Sequence, residues 1–288
     1  MTLKDFITLC IGTLSPLYPA QESKAMAFRL LEHLSGIPSY KYVAEPDMVI
    51  ADTAGLMSAL DELSTGRPLQ YVLGFTEFCG HRFKVGEGCL IPRPETEELV
   101  SRIIDDLYTD DNDEAQEVSD VDEDGPFSIL DLCTGSGCIA WSLAAEFPEA
   151  MVYGCDISDA ALRYACRQRV KVAGAKPIFF TADVLSAPPV GLPKFDLIVS
   201  NPPYICDSER SAMRPNVLDF EPAEALFVPD DDPLKFYRAV ARWSVALLRP
   251  DGHIYLEINE RFGHEVSALF PGSRVVQDIS GRDRFVVV

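Results

Sequence analysis

The chain has 288 residues, 47% of them hydrophobic, and a formal net charge of −20 at pH 7. That length exceeds one typical domain and predicts two. The acidic balance argues against a large electrostatic contact with nucleic acid. No run approaches the roughly 20 apolar residues of a membrane span, and the first residues lack a signal-peptide layout. We therefore expect a cytoplasmic protein that contacts neither membrane nor nucleic acid directly.

Eight cysteines are spread along the chain without a C-x-x-C pair, and the four histidines are scattered. In a cytoplasmic protein this pattern is typical of reduced, mostly buried thiols. We therefore expect neither a disulfide framework nor a metal site.

The first 75 residues carry apolar side chains at helical spacing. One periodic stretch runs over 25–34 and is ended by Gly36, and another covers 48–63. The pattern predicts an N-terminal helical domain over 1–75. Short β-rich pieces separated by glycines follow, and they predict a hairpin linker over 76–95.

A helix is predicted next over 97–104, with Thr96 as its N-cap and acidic residues in its first turn. The stretch 105–124 then contains 11 acidic residues and no lysine or arginine. Such a composition cannot bury a core, so we expect an acidic, disordered loop over 109–126.

From Phe127 onward strands alternate with helices. This alternation predicts an α/β domain over 96–288, with a mostly parallel sheet covered on both faces. Two connecting helices are centred on 160–169 and 234–248. The predicted strands lie near 128–132, 151–156, 177–181, 195–200, 252–258, 273–278 and 284–288.

A glycine-containing turn, Cys-Thr-Gly-Ser-Gly at 133–137, follows the first of these strands and precedes a helix. Small residues let the backbone approach a ligand, and a helix start offers free N–H groups. The second strand ends in Asp156, 25 residues after Asp131, a spacing that suits an acid bound to ribose hydroxyls. The turn is not the dinucleotide G-x-G-x-x-G pattern, because Cys133 stands in place of its first glycine.

The fourth strand ends in Asn201, Pro202, Pro203 and Tyr204. The two prolines fix φ and lack N–H donors, so backbone carbonyls are held rigidly beside the Asn201 side-chain amide. A planar NH2 group could donate both hydrogens to such acceptors while Tyr204 packs against its flat face. The motif therefore predicts a pocket for an amide or a nucleobase amine. A proline-rich turn without function is the alternative interpretation.

Together these motifs resemble the class I S-adenosylmethionine-dependent methyltransferases, and specifically the HemK/PrmC release-factor glutamine methyltransferases. The segments 66–74, 90–97 and 282–285 also resemble that family, so the resemblance covers nearly the whole chain. It implies a Rossmann-like, seven-stranded sheet with the first and fourth strands adjacent, and S-adenosylmethionine as cofactor. The implied substrate is the glutamine of the Gly-Gly-Gln loop in bacterial class I peptide chain release factors, methylated on its side-chain nitrogen, N5. The helical domain would contact that protein.

The resemblance also implies the site residues. Asn201, Pro202, Pro203 and Tyr204 would position the substrate amide. Asp183 would meet the adenine amine or, alternatively, cap a helix, and Glu257 would face the cleft or be only a polar group at the sheet end. Arg93, Pro94 and Thr96 would lie near the methionine end of the cofactor or only stiffen the linker. The implied cofactor-binding residues are Asp131, Cys133, Thr134, Gly135, Ser136, Gly137, Asp156, Asp183, Val184 and Asn201.

Two other functions stay open. A DNA or RNA methyltransferase acting on adenine N6 or guanine N2 would present a similar NH2 group to Asn201, although the acidic charge counts against it. A protein that binds S-adenosylmethionine without catalysis is the second alternative, and the intact Asn201 and Tyr204 count against that.

Overall fold

The computed structural model describes residues 1–113 and 125–288. The described chain divides into two compact units. The first consists of Met1–Phe75 and Arg214–Phe220, and the second of Thr76–Met213 and Glu221–Val288.

The first unit is helical. Its first helix is fixed by a capping box, in which the Thr2 hydroxyl accepts from the Asp5 backbone N–H and the Asp5 carboxylate accepts from the Thr2 N–H. Large apolar side chains of this unit, including Phe6 and Leu30, are fully buried between the helices. The helices are α1 (Leu3–Leu14), α2 (Ala20–Ser35), α3 (Lys41–Ala44), α4 (Ala54–Ser64) and α5 (Leu69–Leu73).

The strands β1 (Phe75–Phe78) and β2 (His81–Lys84) pair with each other, and helix α6 (Pro94–Asp113) follows. The predicted helix 97–104 was too short at both ends. Proline suits the first helical turn because its φ is already helical and its missing N–H would have no partner there.

At its other end α6 continues because Ile104 and Leu107 still pack against the core. Residues 109–113 of the predicted acidic loop are therefore helical. The rest of that predicted loop up to residue 124 lies outside the described residues.

In chain order the remaining elements are β3 (Ser128–Leu132), α7 (Cys138–Glu146), β4 (Met151–Asp156), α8 (Asp159–Ala165), β5 (Ile178–Thr181), β6 (Phe195–Ser200), β7 (Ile205–Cys206), α9 (Pro215–Leu218), β8 (Phe227–Val228), α10 (Lys235–Leu247), β9 (Leu248–Glu257), α11 (Gly263–Ser267), β10 (Arg274–Gln277) and β11 (Asp283–Val287). Among the described residues, seven strands form one sheet in the order β10-β11-β9-β6-β3-β4-β5. The five strands from β9 to β5 in this order are parallel to one another, whereas β11 pairs antiparallel with both β9 and β10.

The predicted sheet is confirmed, and its first strand lies beside its fourth: β3 pairs with β6 on one side and with β4 on the other. The chain order reverses at this point, so the loops that follow β3 and β6 leave the same edge side by side. The short β7–β8 pair was not predicted; it holds the segment after the proline motif against residues 227–228.

Two apolar cores cover the two faces of the sheet. The first contains α6 and α7 with the fully buried Phe83 and Phe285, and the second contains α10 with Trp243 and Tyr237. Trp141 and Trp243 are both buried. All eight cysteines are free thiols, as predicted. None of the helices in the described ranges is long and apolar enough to cross a membrane.

Candidate active site

The turn after β3 depends on left-handed backbone. Cys133, Gly135 and Gly137 have φ of 60°, 56° and 77°. A Cβ on Gly137 would come within 3.1 Å of Trp141 and of Ala165. Glycine is therefore required there for both backbone conformation and space.

Hydrogen bonds from buried polar side chains stabilise this turn. Asp131 is fully buried, and its Oδ2 accepts from the Thr134 hydroxyl at 2.5 Å and from the Ala140 N–H at 3.2 Å. Burial raises the pKa of Asp131 from 3.8 to about 7. The Ser136 carbonyl accepts from Gln168, which also bonds both backbone groups of Lys84 in β2. These contacts shape the turn rather than face a ligand.

Asp156 joins the turn to the end of β4. One carboxylate oxygen accepts from the Gly135 N–H and the other from the Ser158 N–H, each at 2.9 Å. Burial raises the pKa of Asp156, whereas the backbone hydrogen bonds lower it. Each oxygen keeps a second lone pair, so the carboxylate can still accept from a ligand hydroxyl.

A cavity of about 260 Å³ opens beside these residues. The predicted site residues that line it are Cys133, Gly135, Asp156, Asp183, Val184, Asn201 and Pro203. The other predicted residues do not line it, namely Asp131, Thr134, Ser136, Gly137, Pro202 and Tyr204. The structure thus brings the glycine turn, the strand-end acid and the proline motif to one cavity.

The contacts of Asp183 exclude one of its two predicted roles. It lines the cavity, and its Oδ1 accepts from the Leu185 N–H at 2.9 Å in a local turn. No helix follows it directly, so it does not act as a helix N-cap. The neighbouring Val184 is buried and forms part of the same wall.

Behind the proline motif lies a chain of side-chain hydrogen bonds. Asn201 Nδ2 donates to the Thr96 hydroxyl at 3.0 Å, and that hydroxyl donates to Glu257 Oε2 at 2.7 Å. The Tyr204 hydroxyl donates to Glu257 Oε1 at 2.9 Å. The Tyr204 carbonyl is occupied as well, by the Asn259 amide at 3.1 Å.

Two sequence interpretations change here. Thr96 is not the N-cap of α6, because the helix begins at Pro94 and the Thr96 side chain bonds Glu257 instead. Glu257 is fully buried behind Asn201 and Tyr204. Burial raises the pKa of Glu257, while the hydrogen bonds from Thr96 and Tyr204 lower it.

Sequence reasoning missed several lining residues. Leu90 comes from the segment before α6, and Lys235 and Phe236 come from the start of α10. The buried Glu221 accepts from the Ile91 N–H at 3.0 Å and pairs with Arg93 at 2.6 Å, so it joins the segments that carry the lining residues Leu90 and Pro222. Only the resemblance at 90–97 pointed to the first of these segments. Nothing in the sequence singled out the start of α10.

Comparison with known proteins agrees with this arrangement. Residues 117–218 match the family model "Methyltransferase small domain". The chain is 38% identical to the release factor glutamine methyltransferase of Bacteroides thetaiotaomicron over 95% of both chains. The chain belongs to the release factor glutamine methyltransferase family. A relative of the same name from Flavobacterium psychrophilum is 36% identical over 100% of this chain and 99% of its own.

Family membership agrees with both the fold and the extent of the chain. The class I methyltransferase fold is the seven-stranded sheet described above, and its switch point is where the cavity lies. The release factor glutamine methyltransferase assignment covers both units of the chain, since the relatives align over nearly its whole length.

Proposed function

We propose that this protein transfers a methyl group from S-adenosylmethionine to the side-chain amide nitrogen, N5, of a glutamine in peptide chain release factors. The observation that carries the proposal is that Asn201 and Pro203 line the same cavity as Gly135 and Asp156. A substrate amide held by the proline motif would therefore lie next to a cofactor held by the glycine turn. The curated relatives named release factor glutamine methyltransferase support this substrate class.

The cavity suits S-adenosylmethionine in shape and charge. Its wall contains apolar side chains such as Ile157, Val184 and Phe236, which can pack against a flat base. The carboxylates of Asp156 and Asp183 offer acceptors for ribose hydroxyls and an exocyclic amine. Glu224 is a third carboxylate in the lining. Among the described lining residues, the one cationic side chain is Lys235. This acidic lining favours a cationic ligand.

The residues of this chain would act by positioning. When bound, S-adenosylmethionine supplies a methyl group already activated by its sulfonium charge. An amide nitrogen is a poor nucleophile because its lone pair is delocalised into the carbonyl. Acceptors on its N–H bonds, from Asn201 and the rigid proline backbone that follows it, would hold the nitrogen in place and favour the positive charge that grows on it. Removing one such interaction typically costs about 3–4 kcal/mol of transition-state stabilisation.

The partner and the domain roles belong to the same proposal. We place the glutamine in the Gly-Gly-Gln loop of bacterial class I release factors, with residues 1–75 as the substrate-recognition domain, 76–95 as linker and 96–288 as catalytic domain. A protein acting on release factors would work in the cytoplasm. The acidic charge of −20 supports a protein substrate rather than direct binding to nucleic acid.

Labelled S-adenosylmethionine offered together with a release factor and total RNA tests the substrate class. We expect label in the release factor only, and mass spectrometry of its peptides should place the methyl group on the glutamine. A release factor with that glutamine changed to glutamate is the control and should take up none. Label in RNA would instead support the nucleic-acid alternative, and no label in either would support the non-catalytic one.

The proline motif is tested with Asn201→Ala. We expect kcat to fall roughly 10²–10³-fold, because an interaction made in the transition state is lost. Binding of S-adenosylmethionine, followed separately by calorimetry, should change little because Asp156 and the glycine turn remain. Tyr204→Phe keeps the ring and should be milder. Methyl transfer by Asn201→Ala at the wild-type rate would contradict the assignment of Asn201.

A further inference from the structure

The hydrogen bonds behind Asn201 have a defined direction. The Thr96 hydroxyl has one hydrogen, and its 2.7 Å bond to Glu257 Oε2 uses it. Toward Asn201 the same oxygen can therefore only accept, so the Asn201 amide must present its NH2 group at 3.0 Å. No hydrogen bond within the described residues reaches Asn201 Oδ1, and Asn201 lines the cavity. The acceptor oxygen is thereby left for a ligand.

This direction depends on the ionisation state of Glu257. An ionised carboxylate only accepts, and both of its oxygens do so here, from Thr96 and from Tyr204. A proton on Oε2 would let Glu257 donate to the Thr96 oxygen. The Thr96 hydrogen would then be free to point at Asn201, which favours an amide turned by 180° with its NH2 group toward the cavity.

We propose that the ionised Glu257, acting through the Thr96 hydroxyl, sets the orientation in which the Asn201 amide accepts from the substrate. Glu257 and Thr96 are positioning residues in this scheme, and neither lines the cavity. The inference rests on the proposed function only for the identity of the substrate amide. The orientation itself is a property of this chain alone.

The groups around Glu257 decide at which pH the orientation changes. From α6 it faces Glu95 and Thr96, from the proline motif Tyr204, from α10 Tyr237, and from β11 Arg284, which itself pairs with Asp278. Burial raises the pKa of Glu257, and the bonds from Thr96 and Tyr204 and the charge of Arg284 only partly offset this. As pH falls through that raised pKa, Glu257 takes up a proton and the oriented fraction of Asn201 falls. Methyl transfer should therefore have an acid limb set by Glu257.

A matched pair of variants separates the hydroxyl from the shape of the side chain. Thr96→Ser keeps the hydroxyl, whereas Thr96→Val keeps the branched shape and removes it. We expect kcat for the release factor to stay within about threefold of wild type in the serine variant and to fall at least about tenfold in the valine variant. The Kd of S-adenosylmethionine, measured by calorimetry, should be unchanged in both. Equal kcat values for the two variants would overturn the proposal.

The pH profile distinguishes orientation from mere structural support. The wild type and Thr96→Ser should lose kcat on the acid side, whereas Glu257→Gln, which cannot change its charge, should be slower but without that limb. A Glu257→Gln enzyme that keeps the acid limb of the wild type would show that another group titrates.

Hydrogen exchange of the Asn201 side chain tests the proposal independently of enzymatic activity. The chain has four asparagines, so the side-chain NH2 signal of Asn201 can be assigned in ¹⁵N-asparagine protein by its loss in Asn201→Asp. We expect exchange protection of this NH2 group in the wild type at pH 8, loss of protection in Thr96→Val, and the same loss in acid. Failure of wild-type methylation would refute the proposed function, whereas unprotected wild-type NH2 hydrogens would refute this orientation.

Discussion

The contribution of Asp131 to folding stability should depend on pH in the opposite direction to that of most carboxylates. Its Oδ2 accepts two hydrogen bonds, but its Oδ1 is buried without a partner. Burial raises its pKa from 3.8 to about 7. Between these two values the folded protein holds a proton that the unfolded chain releases. Stability is therefore lost as pH rises through this window.

Asp131→Asn should remove that dependence. The asparagine oxygen can take the place of Oδ2 and accept both bonds, and the NH2 group takes the place of the unpaired Oδ1. From pH 5 to pH 8 a group with a folded pKa of about 7 loses about 2–3 kcal/mol of stabilisation, at 1.36 kcal/mol per unit of pKa difference. The stability of the variant relative to wild type should rise by that amount over the same interval.

Urea unfolding followed by tryptophan fluorescence measures this directly. Both tryptophans, Trp141 and Trp243, lie in the second unit, so the signal does not report the helical first unit. The exposed Asp251→Asn is a matched control and should leave the pH dependence of the wild type unchanged. Parallel pH dependences for wild type and Asp131→Asn would refute the reasoning, since they would mean that Asp131 is ionised throughout.

Three further substitutions test single contacts. Asp156→Ala should weaken S-adenosylmethionine binding roughly 10- to 100-fold, about 1–3 kcal/mol, and an unchanged calorimetric Kd in a folded variant would remove Asp156 from the site. Arg93→Ala leaves the buried Glu221 without its cation and should lower the free energy of unfolding by about 1–3 kcal/mol, which is less than for a fully buried pair because Arg93 is partly exposed. Arg93→Lys should lower it less in the same urea measurement. Gly174→Ala would place a Cβ 1.7 Å from the Pro148 carbonyl oxygen and should destabilise by about 1–3 kcal/mol, so an unchanged melting temperature would show that this backbone relaxes freely.

The local residue pattern was sufficient to predict a strand or helix where residues close in sequence specify it. Buried strands such as 128–132 and 195–200 are short apolar runs bounded by turn residues, and they form where predicted. The start of α6 was less predictable because two local signals compete there. Pro94 suits a first helical turn and Thr96 suits a cap, and the cap interpretation was wrong because Thr96 has a buried partner elsewhere in the fold.

The sequence by itself determined the order of strands and helices, the glycine turn and the rigid proline motif, because spacing and residue type act over a few residues. Tertiary structure alone decided which polar groups meet. Thr96 and Glu257 are 161 positions apart, and they become partners only because α6 packs beside the end of β9. Asp131 and Asp156 were both expected to bind the cofactor, yet Asp131 is fully buried and bonds to the turn itself, whereas Asp156 lines the cavity. Burial and proximity depend on the packing of distant segments, which no local pattern encodes.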